Sequence, residues 1–455
     1  MICIDSRWNM KNKFSIFFSL LLIPKLLVST NGLFMISYGS KFSGIAGAGS
    51  STKESVFSNF LNPANLSFYL EEPFHQWELS IRNNLVQSIY DDQYINPFHS
   101  KIYSNHNNTN LQAILPNVGY GLPLNNKIFY SISFLVKGGG GGNIENILFY
   151  NKNFEALKEN YLMRMANPSI IQGIGFNINQ INCGLGYELS YLFINMQNHK
   201  KDLMNLLIEP EQSFEFSGKD VSHAIILGIS QKIIFNKLNF IWGASYHSPN
   251  IFRIKGKIKS YETYINYQIL EHKAEGRIIF PEYYRSGIQL KFNLFRIYID
   301  LNYILWKSYF RKIQIKADSP FITTPIGFTS NTIQIKQNWR NQIVYALGME
   351  FYHTSYIFSI GYNYGRIPTP SDGIHPLLTM PVEHHLTLGV AKNLNLYTIF
   401  FSYEHGFKNK SEFDLSKTNF ISDWFLFHTN AKPTFFKYNR TMELKSFTFG
   451  LERKI

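Results

Sequence analysis

Four features of the sequence carry residue types capable of chemistry: the pair His384-His385, the run Gly138, Gly139, Gly140, Gly141 and Gly142, the pair Asp91-Asp92, and the two cysteines Cys3 and Cys183. Two histidines could begin a metal site. Adjacent residues of a strand point to opposite faces, however, so these two cannot jointly hold one ion, and structural or interfacial roles are expected. The glycine run lacks the following Gly-Lys-Ser/Thr of a phosphate loop. Asp91-Asp92 opens a polar stretch with no acid/base partner in reach of sequence reasoning. No nucleophile is nominated with its base, so the reading is of a protein that is not an enzyme and has no cofactor, metal or catalytic residues. A lipid hydrolase whose site is assembled from distant strands is the catalytic alternative.

The elements that must carry these residues follow from composition. Aromatic residues make up 16% of the 455, with 28 Tyr and 40 Phe, and charged residues also only 16%, against roughly 25% in soluble domains. Something other than water therefore faces much of the surface. Mean hydropathy is nevertheless −0.13, and beyond residue 36 no apolar run approaches the roughly 20 residues of a membrane helix.

The N-terminus differs. Arg7, Lys11 and Lys13 precede the apolar run Phe14–Ile23, followed by Pro24, Lys25 and the small polar residues Ser29, Thr30 and Asn31, the layout of a secretory signal peptide over 1–31. Cleavage is expected near residues 29 to 32, and Met10 is an alternative start. A membrane anchor is the competing reading of this segment. Cys3 leaves with the signal, so Cys183 remains alone and the fold closes without a disulfide. The formal charge of +13 reflects 44 Lys and Arg against 31 Asp and Glu; without Arg7, Lys11, Lys13, Lys25 and Asp5 it is 40 against 30, or +10. Spread basic residues without a binding motif argue against nucleic acid. Solvated loops, or loops facing anionic lipid headgroups, account for the charge more simply.

One unit recurs: an alternating apolar/polar run, a short Asn- or Lys-bearing turn, a second alternating run, then a long polar stretch. It spans 114–137 turning at Asn125-Asn126, 170–193 at Asn179-Gln180, 223–246 at Asn236-Lys237, 284–306 near Asn293, 344–364 near Thr354-Ser355, and 384–404 at Asn393-Leu394-Asn395. Such turns between period-2 runs signal hairpins. Ile128, Tyr130, Ile132, Phe134 and Val136 share one face, opposite Ser131, Ser133 and Lys137; Ile297, Ile299, Leu301, Tyr303 and Leu305 lie opposite Arg296, Asp300 and Asn302. Six hairpins, a strand near 76–90 and one near 442–455 make about fourteen. The expected fold is all-β, a transmembrane antiparallel β-barrel of residues 76–455 with short periplasmic turns and long outer loops. The last strand places Phe447, Phe449, Leu451 and Ile455 on one face, as barrel assembly machinery reads, although Ile455 departs from the usual terminal aromatic.

Ahead of the barrel, residues 32–75 do not alternate. Gly44, Ala46, Gly47, Ala48 and Gly49 allow close backbone packing, and Asn62-Pro63-Ala64 favours a turn; the segment reads as a plug inside the bore, or as a plain linker. Here the chain resembles the outer-membrane long-chain fatty acid transporters and their hydrocarbon-uptake relatives (FadL/TodX-like). The resemblance rests on this opening, then in order on Gly119–Pro123 with Gly138–Gly142, Tyr246–Pro249, Asp300–Trp306, Trp339–Gln342, Ala346–Tyr352, Gly361–Gly365, Pro368–Pro370 and His384–Gly389. It implies fourteen strands, a hatch that includes Gly44, Gly47, Gly49, Asn62, Pro63 and Ala64, and an N-terminal gate at Gly32, Leu33 and Phe34. It also implies sideways release beside a kink in the third strand. Gly138–Gly142 would stand at that opening, or begin a flexible loop.

The expected activity is transport of hydrophobic compounds, long-chain fatty acids first, by a monomer of the bacterial outer membrane amid outer-membrane lipids and lipopolysaccharide. A hydrophilic diffusion porin and an adhesin or structural barrel are the alternatives. No Lys or Arg is nominated for a ligand carboxylate.

Overall fold

The computed structural model of the chain describes residues 31–455 apart from 53–54, 72–73, 97, 151–155, 201–212, 236–237, 263–267, 321, 324–328, 371–377 and 415–435. The export signal expected over 1–31, save Asn31, and the turn at Asn236-Lys237 lie outside the described residues. The strands are β1 (Gln76–Ile95), β2 (Ile102–Asn125), β3 (Ile128–Tyr150), β4 (Ala156–Ile178), β5 (Ile181–Lys200), β6 (Ser213–Phe235), β7 (Leu238–His247), β8 (Asn250–Glu262), β9 (Gln268–Phe280) and β10 (Tyr283–Phe292). There follow β11 (Phe295–Ile304), β12 (Lys312–Ala317), β13 (Ile322–Thr323), β14 (Thr329–Ser330), β15 (Thr332–Lys336), β16 (Gln342–His353), β17 (Tyr356–Gly365), β18 (His384–Leu394), β19 (Tyr397–Asp414) and β20 (Phe436–Lys454).

Fourteen of them form a closed antiparallel barrel: β1 to β7 in order, then β10, β11 and β16 to β20, with β20 pairing back onto β1 from Gln76↔Lys454 to Tyr94↔Phe436. Closure leaves no open edge in lipid, as a membrane sheet requires. Period-2 sequence becomes an inside-out wall. Along β1, Glu78, Ser80, Arg82 and Asn84 are buried in the bore, while Leu79, Ile81 and Leu85 stand outside. Exposed Tyr187, Tyr284, Tyr345 and Tyr362 ring the end with the long connections, and Tyr120, Phe292, Phe295 and Tyr356 the end with the short turns; these are the interfacial girdles that bound an apolar band.

The turns at Asn179, Asn293 and Thr354 fall where the spacing places them, each with positive φ (58°, 48° and 52°). Two others are displaced: the turn residues are Asn126-Lys127, and Asn395-Leu396 with Asn395 at φ 50°. The larger difference lies outside. Stretches read as loops, such as 91–110, 138–169 and 247–283, are mostly continuing strand: β1 and β2 pair up to Ile95↔Ile102, and β3 and β4 up to Tyr150↔Ala156. Above the lipid the outer face has no need to be apolar, so alternation fades from the sequence while the hydrogen-bond ladder persists. Beyond the membrane β6, β8, β9, β12 and β15 continue side by side as an outer extension of the wall.

The described residues of 31–71 lie within the barrel and are almost wholly buried. Two short helices (Ser40–Gly44 and Ser58–Leu61) and a 3-10 stretch (Pro63–Glu71) are too short to stand alone. Wall contacts hold them. Arg82 Nη1 on β1 donates to Ser37 Oγ (2.8 Å), Ser133 Oγ on β3 to Asn59 Oδ1 (2.9 Å), Asn363 Nδ2 on β17 to Ala46 O (3.1 Å) and Thr387 Oγ1 on β18 to Gly44 O (3.0 Å).

Candidate functional site

The wall changes character between β2 and β3. These strands pair only from Val118↔Phe134 to Asn125↔Ile128, although both continue upward. Above Phe134, β3 keeps its ladder to β4 but is bulged between Val136 and Gly138 and again between Ile144 and Ile147; bulges bend a strand and steepen its twist, turning its edge from its neighbour. Pro116 on β2, just above the last rung, has no N–H to offer. At the top the strands meet again, where Asn105 and Asn107 Nδ2 donate to Glu145 O (3.3 and 2.5 Å). A window is thus bounded above and below.

Leu33, Phe34 and Met35 occupy the edge that β2 leaves. Met35 N donates to Lys137 O (3.3 Å), Gly139 N to Leu33 O (3.2 Å), and Phe34 bridges Gly138. Asn31 to Phe34 form a tight turn with Gly32 at φ 68°. A Cβ at Gly138 would fall 1.9 Å from Leu33 O, so a side chain there is incompatible with this approach. Gly138 to Gly142 are strand residues, paired with Asn167 to Met163 of β4, and are not the start of a loop.

The predicted hatch residues gather deeper in the bore. Gly44 accepts from Thr387; Gly47, at φ 83°, would drive a Cβ to 1.9 Å from Ile36 O; Gly49 N and Ser50 N donate to Asp300 Oδ2 (2.9 and 2.8 Å). Asn62 Nδ2 donates to Ser50 O (2.8 Å) and Ile229 O (3.1 Å), while its Oδ1 accepts from Ala64 N (3.2 Å). Pro63 and Ala64 lie against β5 so closely that a Cβ at Gly184 would sit 2.1 Å from Ala64 N. Sequence reading missed this wall glycine; its signal is a glycine at the inward parity of a strand.

Around Phe34 is an apolar chamber filled by its own closely packed side chains. Its ring lies 5.7 Å from Phe280, 5.5 Å from Tyr283 and 5.3 Å from Trp306, and Trp306 packs on Trp339 at 4.8 Å. Met163, Met165 and Met196 complete one side; thioethers adapt to irregular shapes. Leu378 to Val382, from the connection before β18, are buried, Leu378 in this cluster and Met380 and Val382 in a second one with Val86, Leu111, Met442 and Leu444, and Arg440 Nη1 donates to Thr379 O (2.9 Å).

Charge stands beside the window. Lys137 Nζ lies 2.6 Å from Glu188 Oε1, and His247 Nε2 2.5 Å from Glu188 Oε2, all three buried. Tyr38 OH donates to Lys137 O (2.6 Å), and burial pushes its phenol up, so it remains a neutral donor. Tyr283 stacks on His247 at 4.6 Å, and the Arg285 guanidinium lies 5.2 Å from Tyr283 and 5.7 Å from Phe60. Among the described residues Arg285 has no carboxylate within 4 Å, and its buried Nε has no acceptor. Across the bore Arg82 pairs with Glu404, which also holds His385 Nδ1 at 2.9 Å. His384 points outward to Tyr362, so the two histidines do face opposite ways. The described residues hold no cluster of three metal-ligating groups. Sequence reading placed Lys137 on the polar face of its strand but did not single out inward-parity Glu188, His247 and Arg285, because only the closed sheet brings these strands together.

Comparison with solved structures places the fold. The chain resembles a Pseudomonas aeruginosa FadL homologue (14% identity, TM-score 0.68, covering 93% of this chain and 99% of that one) and the Pseudomonas putida toluene transporter TodX (13%, 0.66, 92% and 99%). It is also similar to the Ralstonia pickettii toluene transporter TbuX (13%, 0.63, 92% and 99%). No curated protein sequence matches significantly. Residues 27–383 match the sequence profile described as outer membrane protein transport protein (OMPP1/FadL/TodX).

Proposed function

The chain belongs to the outer-membrane transport proteins of the OMPP1/FadL/TodX family, and from that premise we propose that it carries long-chain fatty acids through the window between β2 and β3. As a member it is a β-barrel transporter of hydrophobic compounds in the outer membrane and not an enzyme. The observation that carries the finer reading is the interrupted β2–β3 ladder, occupied by Leu33 to Met35. In the proposed route residues 32–75 act as the hatch, Gly32, Leu33 and Phe34 as the gate, and Gly138–Gly142 as the flank of the opening. Cargo in the chamber displaces Phe34 and leaves sideways. Lateral release suits an acyl chain, since each CH2 exposed to water costs about 0.8 kcal/mol. Arg285, with no carboxylate within 4 Å among the described residues and framed by Tyr283 and Phe60, is the group proposed to meet the fatty carboxylate.

A second reading, small aromatic hydrocarbons, is favoured by the rings of Phe34, Phe280, Trp306 and Trp339, and TodX and TbuX are toluene transporters. On either reading 1–31 is an export signal and the barrel assembly machinery inserts the mature chain as a monomer among lipopolysaccharide.

In liposomes the protein should take up oleate while admitting little sugar. A photoreactive sixteen-carbon acid should label 33–35, 111–117 and 135–144. Labelling confined to other walls would overturn the route, and uptake of toluene without oleate would favour the second reading.

A further inference from the structure

We propose that the outer wall built by β6, β7, β10 and β11, with the extension β8–β9 above it, is a binding site for one phosphorylated acyl lipid of the outer leaflet, on the opposite face of the wall from the bore. On the lipid-facing side these strands leave a mostly apolar dent of about 420 Å³ lined by Leu227, Ile229, Ala244, Tyr246, Tyr284 and Leu301, with Arg285 also at its margin. Leu227, Ile229, Tyr284 and Leu301 are among the exposed large side chains, so the dent opens to the membrane. It exists because Ala244 and Ser286, paired directly across β7 and β10, are small between larger neighbours on adjoining strands.

Directly above, the same sheet changes chemistry in register. Ile251 faces Ile279 across β8 and β9, both on the outer side. The next outward rung pairs Arg253 with Arg277, and Arg277 is flanked on β12 by Gln314. Two arginines opposite one another on a sheet destabilise it unless an anion lies between them. Neither has a carboxylate within 4 Å among the described residues; Asp220 is nearby but bonds the Arg253 backbone N (2.6 Å). Higher up, Glu275 faces Lys255 and Glu271 pairs with Lys257, so charge there is partly balanced while the rung nearest the membrane is not.

From cation to dent the order is arginine pair, isoleucine pair, tyrosines, apolar hollow. Tyr246 to Arg253 spans roughly 20 Å of strand, or roughly 15 Å along the membrane normal at barrel tilt, comparable with the ~15 Å half-thickness of the hydrocarbon core. A phosphate held by two guanidinium forks thus has its acyl chain at the depth of the dent.

The test uses the full-length protein in neutral detergent, titrated with bisphosphorylated lipid A and with the same lipid after phosphate removal, retention being read by native mass spectrometry. The phosphorylated form should be retained at least about tenfold better, the worth of one charge-assisted hydrogen bond. Arg253→Gln with Arg277→Gln should abolish that preference, and Ala244→Trp, filling the dent, should reduce retention of both forms. Both variants alter outward-facing positions, Arg253 and Arg277 exposed and Ala244 half-buried, and unchanged heat-modifiable gel mobility verifies that their barrels are folded. Equal retention of the two lipids, an undiminished preference in the double variant, or displacement by millimolar inorganic phosphate alone would overturn the proposal, the last because it would mark a simple ion site.

Discussion

Along one edge β2 pairs with β1 without interruption from Gln76↔Gly121 to Ile95↔Ile102; along the other it pairs with β3 only from Val118↔Phe134 to Asn125↔Ile128. Both edges belong to one strand, so β-propensity does not separate them. The difference comes from the neighbour: β1 is regular, whereas β3 carries two bulges and a glycine run that admits Leu33 to Met35 in place of β2. A barrel thereby opens its wall without exposing a bare edge, since the missing rungs are partly replaced by the chain's own leading residues.

Each side of the bore also has a buried cation, glutamate and histidine: Lys137, Glu188 and His247 beside the window, and Arg82, Glu404 and His385 behind the β1 wall. Replacing the glutamate strands a buried cation in either case, and Glu188→Gln and Glu404→Gln should each cost about 3–5 kcal/mol in stability, read by denaturant titration. The comparison is sharpened by transport. Glu188→Gln should also change oleate uptake, because Lys137 O anchors Met35 and Tyr38, whereas Glu404→Gln should leave uptake per folded barrel unchanged. Equal effects on uptake would erase the distinction between the two walls.

Next in size is Gly138→Val. Its Cβ would collide with Leu33 O, and since the Cβ position is fixed by the backbone and the oxygen belongs to main chain the leading segment must withdraw, losing the bonds Met35 N to Lys137 O and Gly139 N to Leu33 O. A cost of about 1–3 kcal/mol is expected, with a leak of small hydrophobic dyes into liposomes while the barrel stays closed on gels. A barrel that stays tight to dye would mean that Leu33 to Met35 do not seal the window.

How far the sequence could reach is clear from the same residues. Alternation and short Asn turns are local, so strand count, inward and outward faces and Asp300 in the bore were legible. The turn at Asn395-Leu396 was placed early, because Asn393 offers the same local signal and only the cross-strand pair Leu394↔Tyr397 fixes the register. The glycine run was legible as unusual, but not as the partner of Phe34, 104 positions earlier. Arg285 and Glu188 were not legible at all: a charged residue at inward parity is common in a polar bore, and nothing short of the closed sheet reveals which have partners.

Arg285→Gln tests whether the chamber behind the window differs from the opposite side of the bore in cargo chemistry. Removing one charge-assisted bond to a carboxylate should lower oleate uptake about tenfold, with toluene uptake and stability unchanged. Equal loss for both cargoes would assign Arg285 to holding Phe60 in place.

The smallest effect is expected at the upper margin of the window. Asn105 and Asn107 clasp Glu145 O from an exposed position, where each bond contributes about 0.5–1.5 kcal/mol at most and water can replace it. Asn105→Ala with Asn107→Ala should therefore leave stability within about 0.5 kcal/mol and keep the route intact. Without the clasp, however, no ladder rung among the described residues ties β2 to β3 above Val118, and the window becomes a slot open at its outer end. Labelling by the photoreactive acid should then spread above residue 144 of β3, with the lower limit at Phe134 unmoved. A labelled range that does not extend would mean that β2 is held upright by its ladder to β1 alone, and that the two edges of this strand are more independent than the clasp suggests.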